Sequence, residues 1–356
     1  MKKLIADKIE QNIFQCYPDD NYALPSLKKD YQISDLSLYL KGKLKKYFKG
    51  SEGLESAEKL LSCWDIDRFG ITYNMLSDTK SKDQLVDILA FKMLSHKNYK
   101  LQFPTEHFYE LLKNINKCKT EETINPNNWI LYLYDLSKIG KDIKVFFHDP
   151  ESVYLSILAN QYGYPDADFD IKKGDYVIDG GCFYGDTALV FANKTGAIGK
   201  VFSFEFVNDN IKVFENNMRV NPELSKSISL NRYALWNSSD ETLTFQENGP
   251  ATRVDNSKTS PTISVKTKSI DDFVKEKNIE KIDFIKLDIE GAEMKCLEGA
   301  QNTIKKYKPK LAICVYHKDY DMVEIPQYIK QLLPEYKLFL KHHTTSYGET
   351  VLYCKV

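Results

Sequence analysis

The stretch VIDGGCFYGD, residues 177–186, closes an apolar run with Asp179 and follows it with Gly180, Gly181 and Gly185. Glycines there let a chain turn sharply and bring backbone amides against a ligand, with the N-terminus of the next helix close by. Working outward from DYVIDG (175–180), short apolar runs of strand character recur at KVFSFEF (200–206), ISLNRYAL (228–235), DFIKLDI (283–289) and LAICVYH (311–317). Helical stretches lie between most of them, the clearest being NDNIKVFENNMRVN (208–221) and AEMKCLEGAQNTIKKY (292–307). Strands alternating with helices predict a parallel sheet covered on both faces, with ligand bound at the turn after the first strand. YKLFLKHH (336–343) and ETVLYCKV (349–356), joined by a short polar turn, predict an antiparallel hairpin that finishes the sheet. QENGPATRVDNSKTSPT (246–262) reads as one long polar loop.

The residues to about 145 have a different texture, mainly helices joined by polar turns. In SKDQLVDILAFKMLSHK (81–97), Ser81 and Gln84 predict a capping box, and Leu85, Ile88, Leu89, Met93 and Leu94 share one face. DLSLYLKGKLKKYFKG (35–50) and EHFYELLKNINKCK (106–119) are expected companions. The Lys41, Lys43, Lys45, Lys46 and Lys49 cluster reads as a solvated helix face. Residues 1–145 are therefore expected to form a helical accessory domain that caps or dimerises a second domain, 146–356.

At 356 residues and 42% apolar the chain can bury a substantial core. A net charge of −1 gives no global attraction to nucleic acid or an acidic membrane. No base-holding motif such as NPPY or DPPY occurs, and no apolar run is long enough to span a bilayer. The opening MKKLIADKIEQN starts like a signal peptide, but Asp7, Lys8 and Glu10 interrupt its apolar core. Seven scattered cysteines without metal-binding spacing predict reduced thiols and a cytoplasmic location.

The glycine turn lacks GxGxxG and GK[ST], so neither a dinucleotide nor a Walker-type phosphate site is predicted. Glu205 ends the next apolar run, where an acid accepts hydrogen bonds from two ribose hydroxyls. Asp179 lies where a pyrophosphate would sit; a carboxylate there repels phosphate but holds the ammonium of an amino acid. Adenosine joined to an amino acid describes S-adenosylmethionine.

VIDGGCFYGDTALVFA, FSFEF and above all IDFIKLDIEGAEMKCLEGA resemble the FkbM-type methyltransferases, a class I S-adenosylmethionine-dependent family, over roughly residues 145–356. The resemblance implies a Rossmann-like α/β sheet of seven strands with the last antiparallel, and methyl transfer to a hydroxyl, often of a sugar. The cofactor contacts expected are Asp179, Gly180, Gly181, Gly185, Asp186, Thr187, Glu205, Phe206, Trp236 and Asp288. Phe206 stands where the family commonly has proline and offers an apolar wall for adenine. Trp236 is either a neighbour of adenine or a core residue.

A sulfonium methyl is already activated, so the protein must align the acceptor and remove its proton. Asp288 ends the fourth strand and His317 the fifth, so both are expected to point into one crevice. His317 is expected as the base, with Asp288 or Glu290 orienting it. Alternatively Asp288 and His317, with Glu290, hold Mg²⁺ or Mn²⁺ to acidify the hydroxyl. Tyr162 and Arg253 are further substrate candidates, against the alternatives of a packed loop tyrosine and a solvated arginine. Glu293 reads as structural, a first-turn carboxylate on its helix. The expected activity is O-methylation of a small-molecule carbohydrate, such as a nucleotide-linked sugar or a surface-polysaccharide precursor. N-methylation of an amine or amide and a non-catalytic binding module are the alternatives, and self-association is expected through the N-terminal helices.

Overall fold

The computed structural model describes residues 66–98, 101, 105–126, 129–246, 253–254, 262–346 and 348–356. The described residues fall into two compact units: those before residue 104 together with 340–346, and those of 104–339 together with 348–356. The expected helix over 35–50 lies outside the described residues.

In the first unit, helices α1 (Ile66–Met75) and α2 (Thr79–Asn98) follow one another. Leu85, Ile88, Leu89 and Met93 are buried as the periodicity predicts, but so are Val86, Ala90 and Phe91, so α2 is covered on more than one face. The capping box is not formed by Ser81 and Gln84. Asp78 takes the capping position, accepting from the Ser81 amide at 2.7 Å. Ser81 Oγ and Gln84 Oε1 instead accept from the backbone amides of Leu340 (2.8 Å) and His342 (3.0 Å).

The second unit opens with α3 (Thr105–Cys118), after which the expected run of helices gives way to an antiparallel sheet: β1 (Lys119–Ile124), β2 (Leu131–Asp135) and β3 (Lys144–Phe147). Aromatic and β-branched residues pair across it, as in Tyr132 with Phe147 and Tyr134 with Val145. The β3 amides of Lys144 and Phe146 donate to the side chains of Asn221 and Asn217 at 2.9 and 2.7 Å, so that edge is covered by hydrogen bonds from outside the sheet.

The main sheet contains β4 (Tyr176–Gly180), β5 (Lys200–Phe204), β6 (Ile228–Asn231), β11 (Phe284–Leu287), β12 (Lys310–Cys314), β13 (Lys337–His342) and β14 (Thr350–Lys355). Its order is β13-β14-β12-β11-β4-β5-β6, parallel through β12, β11, β4, β5 and β6, with β14 antiparallel to β12. Central residues such as Val177, Ile178, Phe284, Ile285, Leu311 and Ala312 are fully buried, as expected for a sheet covered on both faces.

ISLNRYAL splits, because β7 (Ala234–Leu235) leaves the main sheet to pair with β10 (Thr262–Lys268) in a smaller sheet with β8 (Thr242–Gln246) and β9 (Arg253–Val254). The predicted loop 246–262 thus contains a short strand, and its other interior residues lie outside those described. Helices α4 (Asp186–Thr195), α5 (Asn208–Val220), α6 (Ile270–Glu276) and α9 (Asp321–Leu332) connect the strands. The helix predicted over 292–307 is two, α7 (Glu293–Glu298) and α8 (Gln301–Tyr307). It breaks at Gly299, where a Cβ would lie 2.3 Å from the Trp236 carbonyl oxygen. Among the described residues no helix is long and apolar enough to cross a membrane.

Candidate active site

A cleft of about 360 Å³ opens at the carboxyl ends of β4, β5 and β11. The glycine turn is shaped first by the chain around it. Gly181 has φ +73°, and a Cβ there would fall 1.9 Å from the Asp288 carbonyl oxygen; Gly185, at φ +79°, packs against the Phe214 ring. The amides of Gly181 and Cys182 both donate to the Phe204 carbonyl at 3.1 Å, so they tie the turn to β5.

Asp179 is fully buried and does not line the cleft. Its carboxylate accepts from Thr187 Oγ1 at 2.9 and 3.1 Å and lies 3.3 Å from Lys286 Nζ. Lys286, on β11 directly opposite Asp179 in the register, also donates to the carbonyls of Gly180 (3.0 Å) and Gly181 (2.6 Å). Burial opposes its charge, but Asp179 and Asp288 outweigh that and hold the ammonium protonated. Lys286 was missed by the sequence reading, although a lysine inside the buried run DFIKLDI was the available signal.

At one end of the cleft stands Glu205. Its Oε1 accepts from the amides of Phe206 (2.7 Å) and Val207 (2.8 Å), and Oε2 from Asn210 Nδ2 (3.1 Å), so the carboxylate is locked before any ligand arrives. Phe206 lines the cleft with Phe245, ring centroids 4.6 Å apart, an apolar setting for a flat ring. Asp186, at the start of α4, lines the same space; it is buried, its Oδ1 has no hydrogen-bond partner, and burial pushes its carboxyl up to about 6.

At the other end, Asp288 accepts from Tyr162 Oη (3.0 Å) and Tyr316 Oη (3.1 Å). Burial alone would raise the Asp288 carboxyl, but Lys286 and His317 outweigh it and hold it below its usual value. The His317 side chain is 2% exposed and lies behind the cleft wall, with Nδ1 3.0 Å from Glu293 and Nε2 3.4 and 3.7 Å from Asp288 and Glu290. Burial opposes its charge, yet Glu293, then Asp288 and Glu290, raise it to about 9. The three carboxylates favour the protonated ring, a form that does not accept a proton, and this weighs against His317 as the base. Glu349 lines the cleft, accepts from Gln161 and, at 3.4 Å, from Tyr316 Oη, and is pushed up to about 7 by burial and then by Asp288. It sits in a polar turn, SYGETVL, with nothing in the sequence to single it out.

The structure thus brings Gly181, Asp186, Thr187, Glu205, Phe206, Asp288, Glu290 and Tyr162 together around one cleft. Asp179, Gly180, Gly185, Trp236 and His317 are not on its lining. Trp236 follows β7, its amide bound to the Lys268 carbonyl at 3.1 Å. Arg253 is on β9, and its side chain lies outside the described residues.

The chain is similar to known proteins. A family model described as the methyltransferase FkbM domain matches residues 163–339. The crystal structure of an FkbM methyltransferase from Methylobacillus flagellatus KT aligns over 82% of this chain and 58% of its own, at 19% identity and a TM-score of 0.53. A fibrillarin from Aeropyrum pernix, solved with bound S-adenosyl-L-methionine, covers 66% of this chain and 98% of its own at 11% identity and a TM-score of 0.34. The first is a likeness of fold, and this chain covers less than two thirds of that protein. No curated protein sequence matches the chain.

Proposed function

Starting from the chain's membership of the FkbM family of S-adenosylmethionine-dependent methyltransferases, we propose that it transfers a methyl group to a hydroxyl of a carbohydrate. The observation that carries the reading is Glu205: a carboxylate fixed by two backbone amides on Oε1 and by Asn210 on Oε2, with one acceptor site left on Oε2 for a ribose hydroxyl. Phe206 and Phe245 then flank the adenine. The ammonium falls to Asp186 rather than Asp179, because Asp186 lines the cleft with an unpaired oxygen while Asp179 is taken up by Lys286 and Thr187. Asp186→Asn is expected to weaken S-adenosylhomocysteine roughly tenfold and leave 5′-methylthioadenosine, which has no ammonium, unchanged.

The cofactor supplies a methyl on a sulfonium that needs no further activation. With the methyl passing to the acceptor oxygen and the C–S electron pair staying on sulfur, Glu349 would take the hydroxyl proton, its raised pKa suiting it as a base near neutral pH. Tyr162 and Tyr316 hold Asp288 where it accepts a hydrogen bond from an acceptor hydroxyl. Lys286 is the lysine on the lining, and it is engaged with Asp179 and two carbonyls. His148, which also lines the cleft, is driven toward its neutral form by burial. Asp186, Glu205, Asp288, Glu290 and Glu349 make the described lining acidic, which favours an uncharged sugar portion over a phosphate inside the cleft. The same acidity favours N-methylation of an amine as the second reading. The described cysteines are free and buried, in keeping with a reducing, cytoplasmic setting.

The test is methyl transfer from labelled S-adenosylmethionine to a panel of sugars, sugar nucleotides and amino sugars, with NMR of the products. Methyl ethers support the proposal, methylamines alone support the second reading, and failure of calorimetry to detect S-adenosylhomocysteine binding would overturn both.

A further inference from the structure

We infer a divalent-cation site of the manganese type made by Asp288 Oδ1, Glu290 Oε2 and His317 Nε2, with Glu293 orienting the imidazole from behind. The His317 side chain is 98% buried, and neither ring nitrogen completes a hydrogen bond within the protein. Nδ1 lies 3.0 Å from Glu293 Oε1, and that oxygen is fixed by the Ile289 amide at 2.8 Å. A carboxylate on Nδ1 turns Nε2 the other way, the arrangement by which carboxylates orient metal-ligating histidines, and an ion bound at Nε2 displaces the proton that this nitrogen otherwise carries. On that side Nε2 faces Asp288 Oδ1 at 3.4 Å and Glu290 Oε2 at 3.7 Å. Donors around an ion with bonds near 2.1 Å stand about 3 Å apart when adjacent, so both oxygens must move inward towards Nε2 when the ion is bound.

The backbone of this loop is bent towards the same end. Glu290 adopts φ +56° and Gly291 φ +92°, a left-handed pair that reverses the chain after β11 and turns the Glu290 carboxylate back to His317. Tyr162 fixes the Asp288 carboxylate through Oδ2, and Tyr316 donates to Oδ1 itself. Asp288 and Glu290 line the cleft, so the ion keeps open positions toward the acceptor. Two carboxylates and one imidazole form a mixed oxygen and nitrogen set, which suits Mn²⁺ better than Mg²⁺, an ion that favours oxygen alone.

Electron paramagnetic resonance of Mn²⁺ titrated into the full-length protein tests the site without an acceptor. One ion per chain is expected, with affinity reduced at least tenfold in Glu290→Gln and His317→Gln, and about tenfold in Glu293→Gln through loss of orientation. Glu290 is partly exposed, so its variant separates a lost ligand from a lost fold. No uptake at millimolar Mn²⁺ by protein that still binds S-adenosylhomocysteine overturns the site and leaves the cofactor reading standing. Uptake equal in wild type, Glu290→Gln and His317→Gln overturns it as well, since any ion is then held elsewhere.

Discussion

The two ends of the cleft are built on opposite terms. At the Glu205 end the acid has its donors in place: two amides and an asparagine hold it in a single orientation. At the Asp288 end, Asp288, Glu290 and Glu293 crowd one histidine, Glu349 reaches the same network through Tyr316, and both Glu290 and Glu349 adopt left-handed backbone conformations. A carboxylate with its donors in place is suited to binding the same moiety each time. Carboxylates that share one histidine on a strained backbone are suited to moving a proton. Lys286 joins the two, neutralising Asp179 beneath the glycine turn and lowering the Asp288 carboxyl.

The largest effect expected from breaking this contrast comes from Lys286→Met, which leaves Asp179 buried without its counter-charge, with Thr187 its remaining partner. Chemical denaturation should show a loss of about 3–5 kcal/mol; a near-neutral result would mean that Lys286 does not hold the two ends together. Smaller is the effect of His317→Gln. The histidine's pKa is raised in the fold from 6.5 to about 9, so its stabilisation is fully present below pH 6.5 and is lost as pH rises through 9. Stability measured across that window should decline in the wild type by roughly 2–3 kcal/mol more than in the variant. Parallel curves would show that the imidazole is not held charged by its three carboxylates.

Of similar size is the effect of Glu349→Gln. This carboxyl is raised from 4.5 to about 7, so the folded state holds its proton more tightly than the unfolded chain does. Its contribution is present below pH 4.5 and disappears as pH rises through 7. The variant should lack that slope, gaining roughly 2–3 kcal/mol relative to wild type at pH 8 over pH 5. A wild-type curve flat from pH 5 to 7.5 would contradict the assignment of Glu349 as the poised base.

The Glu205 end was far easier to read in the sequence. Glu205 at the end of KVFSFEF and the glycines after VID are tied to local strand and turn patterns, and the fold follows from the same alternation. At the other end Asp288, Glu290 and His317 were visible, but their roles depend on which side chains surround them. Sequence shows neither Glu293 behind the imidazole nor Glu349 arriving from the turn before β14, far along the chain. Asp179 was misleading for the same reason: the lysine that claims it lies on β11, a separate strand that meets it only in the folded sheet. The β1–β3 sheet escaped because LYLYD and KVFF carry apolar or aromatic residues on both faces, which hides the alternation of a strand.

Calorimetric titration of S-adenosylhomocysteine into wild type and Glu205→Ala tests the central claim most directly. Binding to the wild type is expected, with a loss of roughly tenfold or more in the variant, the size of one hydrogen bond to a charged group. Equal affinity in the two proteins would contradict it.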